Sequence, residues 1–119
     1  MMNGDQARGK AAQCILDVRS LRKAVFPSEL FDEFAWNMML HLFVELANNR
    51  VMTERALIEK AGASEDAGRR WIEHLVKDRQ VAERRDEDDV ILTADAISRL
   101  RKFLDEAINR GEAQVYEQT

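Results

Sequence analysis

Apolar side chains return at three- and four-residue steps along most of the chain, and that helical period limits the possible folds more than any other feature. Ala11, Cys14, Ile15, Val18, Leu21 and Val25 form one such stripe, which predicts a helix over about residues 8–26. Pro27 stops it, since proline cannot continue a helix. A second pattern over about 31–48 carries Phe34, Ala35, Met38, Met39, Leu42, Phe43 and Leu46. It is apolar round most of its circumference and reads as the central buried helix, ended by Asn48 and Asn49. Thr53 suits the N-cap of a brief helix over 53–61 with Leu57, Ile58 and Ala61 inward, and Gly62 suits the left-handed residue after it. Ser64 caps the next helix, 64–79, with Ala67, Trp71, Ile72, Leu75 and Val76 on its inner face. Gly68 on that face lets a crossing helix approach. Val81-Ala82-Glu83-Arg84 and Val90-Ile91-Leu92 are strand candidates around the acidic turn Asp86-Glu87-Asp88-Asp89. Thr93 then caps a last helix through Ile97, Leu100, Leu104 and Ile108, which Gly111 ends, and 111–119 read as a frayed tail.

Composition removes several classes. The 119 residues suffice for one domain, and one proline with five glycines is too few turn residues for an all-β chain. The most apolar stretch, 34–44, contains Asn37 and His41 and falls well short of the ~20 residues a bilayer needs. No secretory apolar region follows the first residues, so a cytoplasmic protein without a membrane partner is expected. Cys14 alone makes no internal disulfide and reads as a small hydrophobe on its stripe. With His41 and His74 it offers no metal-ligand spacing. A phosphate-cradling glycine loop, a distinctive carboxylate pair and a nucleophile–histidine arrangement are all missing, so neither an enzyme nor a cofactor is expected.

The element order is specific: two helices, a short helix, a glycine-containing turn, a further helix, a β-hairpin and a last helix. It predicts a mainly α fold with a small β-hairpin, a winged helix-turn-helix. The single domain would comprise an amino-terminal helix over about 8–26, a core over about 28–109 and the tail. Over roughly residues 26–108 the chain resembles the MarR family of bacterial winged-helix transcription regulators. The likeness rests on the pattern leading into Trp71-Ile72 with Leu75, on Val81-Ala82-Glu83-Arg84, and on the exit Val90-Ile91-Leu92-Thr93. It implies a homodimer built by terminal helices that binds a pseudo-palindromic operator on double-stranded DNA. It also implies that 64–77 is the recognition helix and 84–90 the wing.

A helical wheel over 64–79 turns Asp66, Arg69, Arg70, Glu73 and Lys77 away from the core, with Ser64 at the start and His74 beside them. Arg69 and Arg70 are the candidates for the groove, where arginine binds guanine O6 and N7. Equally, Asp66–Arg70, Arg69–Glu73 and Glu73–Lys77 have the spacing of i,i+4 pairs on any solvated helix. Arg84 and Arg85 either reach phosphates or neutralise the acidic turn, and Thr53 either donates to a phosphate or simply caps. The terminal helices offer Ile15, Val18, Leu21, Leu104 and Ile108 to a dimer interface. With 18 basic and 22 acidic residues, for a net −4, the chain carries no general excess of positive charge. The acidic turn and the neutral helix face therefore keep a second reading open, a module that binds protein and not DNA.

Overall fold

The computed structural model describes residues 4–25, 34–85 and 88–109. They form α1 (Asp5–Val25), α2 (Phe34–Ala47), α3 (Glu54–Ala61), α4 (Glu65–Lys77) and α5 (Ala94–Asn109). Local chemistry sets the boundaries. Thr53 Oγ1 accepts the Ala56 N–H at 3.1 Å and Ser64 Oγ the Ala67 N–H at 3.2 Å, so each cap satisfies a donor that its helix cannot. Gly62 closes α3 at φ 72°, where a side chain would be strained, and Asn49 ends α2 at φ 58°. Thr93 caps α5 by accepting the Ala96 N–H at 3.1 Å, and donates to the Arg79 carbonyl at 2.8 Å, which ties the start of α5 to the end of α4. The stops assigned to Pro27 and Gly111, the turn residues Asp86 and Glu87, and the tail lie outside the described residues.

The expected winged helix, a mainly α fold with a β-hairpin, is overturned: the described residues contain no strand and no sheet. Of two isolated antiparallel bridges, Val81 with Leu92 stands where the hairpin was expected, and Met52 with Val90 joins its second segment to the residues before α3. At the first, the Ala82 N–H meets the Ile91 carbonyl at 2.8 Å and the Thr93 N–H meets the Gln80 carbonyl at 3.0 Å. A further rung would need the Arg84 backbone N–H on the Asp89 carbonyl. That carbonyl instead faces Arg84 Nε at 3.4 Å, and Arg84 Nη2 donates to the Asp88 carbonyl. Val90 turns its own N–H to Met52 at 2.9 Å. A guanidinium takes the acceptors that a ladder would use.

The core forms around α2, whose Met38, Leu40 and Phe43 are wholly out of water. Leu57 of α3, Ile72 of α4, and Leu100 and Leu104 of α5 close over it, each side chain contributing about 1.5–3 kcal/mol by leaving water. This corrects one interface residue. Leu104 has no exposed surface in the single chain, so none is left for a partner. Ile15 and Ile108 are half-buried against the same core, Val18 is 58% exposed, and the Leu21 side chain lies outside the described residues. Among the described residues no helix is long and apolar enough to cross a membrane.

A charged clamp joins α1 to α5. The Asp5 carboxylate, 1% exposed, accepts Arg101 Nε at 2.9 Å and Nη2 at 2.8 Å, and Arg8 Nη1 at 3.0 Å. Arg8 also donates to both Asp105 oxygens, at 2.8 and 3.0 Å. Hydrogen bonds to Asp105 and Asp5 outweigh burial at Arg8 and raise its pKa, and the bond to Asp5 does the same at Arg101. Asp5→Asn leaves those guanidiniums without their buried counter-charge. The urea midpoint is expected to fall by the equivalent of about 1–3 kcal/mol, and an unchanged midpoint would remove the clamp from this account.

His41 titrates in the opposite sense. Burial in α2 lowers its pKa below 6.5, the nearby charge of Lys60 adds to the effect, and Glu45 opposes it. Below pH ~6.5 the unfolded chain therefore binds a proton that the folded chain resists, and stability falls as the pH drops towards the folded value. Urea melts at about pH 7.5 and pH 5.5 should show a smaller difference in His41→Gln than in the unmodified protein.

Candidate nucleic-acid interface

The α3–α4 pair is held by a contact that only glycine permits. Gly68 is buried, and a Cβ there would lie 2.5 Å from Ile58 Cγ1 and 2.7 Å from Cγ2. Those atoms sit on the branched Cβ of Ile58 and cannot swing aside. With Gly68, Ile72 and Leu75 facing the core, the 100° step between residues turns Asp66, Arg70, Glu73 and Lys77 outward, and all four are exposed. Arg70 has no carboxylate within ion-pair distance among the described residues.

The two flanks of α4 differ. On one, Arg69 approaches Glu54 of α3 at 3.6 Å and pairs with Glu65 at 2.9 Å. None of the three i,i+4 pairs expected from the sequence forms among the described residues: Arg69 turns back to Glu65 and across to α3. Arg84, 9% exposed, donates Nη1 to the same Glu54 at 3.2 Å. Arg69 and Arg84, both candidates for DNA contact, are thus engaged within the chain by Glu54. Nothing local announces it, because Arg84 lies thirty positions away in sequence. Arg85 stays exposed, its backbone N–H on Asp88 Oδ2 at 3.0 Å.

The other flank is apolar and holds a second correction. Trp71, expected inward, is 38% exposed and meets His74 edge to face at 5.7 Å. His74 belongs with this flank and not with the charged face. It borders a groove of about 480 Å³ between α2, α4 and α5, where Trp36 and Phe103 pack edge to face at 4.9 Å beside Met39 and Leu100. Thr53 and Ser64 serve as caps.

The chain matches no protein-family model, no curated protein and no solved structure. Among the described residues, no group of three or more histidine, cysteine or acidic side chains is placed to hold a metal ion.

Gly68→Ala is expected to destabilise the protein by about 1–3 kcal/mol through overpacking against Ile58. Ile58→Ala makes room, so the double variant should lose less than the sum of the single losses in urea unfolding. Additive losses would place the strain elsewhere.

Proposed function

We propose that this protein binds double-stranded DNA through the outer face of α4 and acts, without catalysis, as a transcription regulator. The observation that carries this reading is Arg70. It stands opposite the buried face of α4, exposed and with no carboxylate at ion-pair distance among the described residues, on a helix joined to α3 by a three-residue turn. A guanidinium so placed can bind both acceptors of a guanine in the major groove. Asp66, Glu73 and Lys77 share its face, Arg85 offers a phosphate contact nearby, and Ser64 begins the helix. The regulatory role follows from the resemblance to the MarR family. So does the homodimer on a pseudo-palindromic site, for which Val18, Ile15 and Ile108 leave apolar surface on the terminal helices.

The groove lined by Trp36 and Phe103 and the internal pairing of Arg69 and Arg84 favour a second reading, a module that binds protein. Duplexes selected from a random pool and titrated by fluorescence anisotropy separate the two. Arg70→Ala is expected to cost about 1–3 kcal/mol on the selected site and to relax preference at one base pair. Arg85→Ala should instead weaken all duplexes alike and reduce the salt slope by about one unit. If the unmodified protein binds no duplex at about 50 mM salt, the DNA reading fails and the protein-binding reading replaces it.

A further inference from the structure

We infer that Glu54 restrains non-specific DNA binding by holding Arg69 and Arg84 away from the phosphate backbone. This inference rests on the DNA reading above. Glu54 sits in the first turn of α3, with its side chain 12% exposed. Its Oε1 accepts Arg84 Nη1 at 3.2 Å, and its Oε2 lies 3.6 Å from Arg69 Nε. All three guanidinium nitrogens of Arg84 are engaged, Nε and Nη2 with the carbonyls of Asp89 and Asp88. One carboxylate thus holds two cations, one on α4 and one beyond its end, on the flank of the helix proposed to enter the groove.

Geometry sets the consequence. Arg69 is half-exposed and lies next to Arg70, drawn back towards α3 by Glu54 at 3.6 Å and along α4 by Glu65 at 2.9 Å. Arg84 is tied down by Glu54 and by the carbonyls of Asp88 and Asp89. Each arginine that gains a phosphate displaces counterions and steepens the dependence of log affinity on log salt by about 0.9. Two such contacts would raise affinity for any sequence and dilute the preference read by Arg70. Glu54 is a positioning residue, and it acts by limiting how many cations meet DNA.

The test compares salt slopes on a duplex of arbitrary sequence, with the full chain. Glu54→Gln keeps the shape and removes the charge. Its slope should steepen by one to two units of about 0.9 each, with affinity at about 100 mM salt rising on the order of tenfold. Adding Arg69→Gln to Glu54→Gln should take back about one unit. In the unmodified background, Arg69→Gln should leave the slope unchanged, because Arg69 is not on a phosphate there. That last variant decides the matter even if Glu54→Gln fails to fold: a fall of about one unit would mean that Arg69 already contacts DNA, and the inference is overturned. An unchanged slope in folded Glu54→Gln overturns it as well. Both results leave the DNA reading intact as long as Arg70→Ala still loses its base preference. If the unmodified protein binds no duplex, the DNA reading itself falls and takes this inference with it.

Discussion

A carboxylate almost wholly removed from water decides how α1 and α5 meet. Asp5 near the start of α1 receives two hydrogen bonds from Arg101 on α5 and one from Arg8, and Arg8 passes the connection on to Asp105. Apolar packing is tolerant of small slides, since one leucine replaces another at little cost. A buried charge pair is not, because a slip of one turn leaves a charge unpaired away from water. Asp5 with Arg101 and Arg8 with Asp105 both advance in the same direction along the two helices, so the clamp sets one register between α1 and α5. In that register Leu104 comes to lie wholly within the core, with Ala11 and Ala12 of α1 beside the same cluster. That is why a side chain expected at a dimer interface has no surface to give.

The features legible in the sequence are those governed by a few neighbouring residues. Thr53, Ser64 and Thr93 cap their helices because each hydroxyl oxygen stands three positions before a backbone N–H that has no acceptor within its helix. Gly62 takes a positive φ, and Gly68 admits Ile58, for reasons local to one turn and one crossing. The β-hairpin failed at the level of side chains. Val81-Ala82-Glu83-Arg84 and Val90-Ile91-Leu92 have the composition of strands, but a ladder competes with whatever else can donate to its carbonyls. Here Arg84 competes successfully at Asp88 and Asp89. Alternation and turn chemistry carry no information about that contest.

The candidate site was legible in part for the same reason. The outward face of α4 follows from its period, and Arg70 stands where the wheel put it. Trp71 shows the limit of such a wheel: it lies at the edge of the apolar arc, and whether an edge residue is covered depends on the neighbouring helices. Arg69 shows another. Spacing offered it Glu73, but Glu65 lies one turn back, and Glu54 faces it across the α3–α4 junction that Gly68 makes narrow. A pair across a tertiary junction has no signature in one helix.

On the DNA reading, the charge of the outer face becomes meaningful. Asp66 and Glu73 balance Arg70 and Lys77, and Glu54 engages two more cations, so the surface brings little net positive charge to a polyanion. A surface of that kind gains little affinity from counterion release, the sequence-independent part of DNA binding. What remains is the contribution of groups that match particular base edges, together with whatever a second protomer adds on the other half-site. A carboxylate beside a recognition arginine also penalises approach wherever the arginine finds no acceptor to offset the repulsion. Weak attraction to arbitrary sequence and a repulsive element against the wrong one are the two ways a binder gains discrimination. On that reading both come from acidic side chains, Glu54 on α3 and Asp66 and Glu73 on α4.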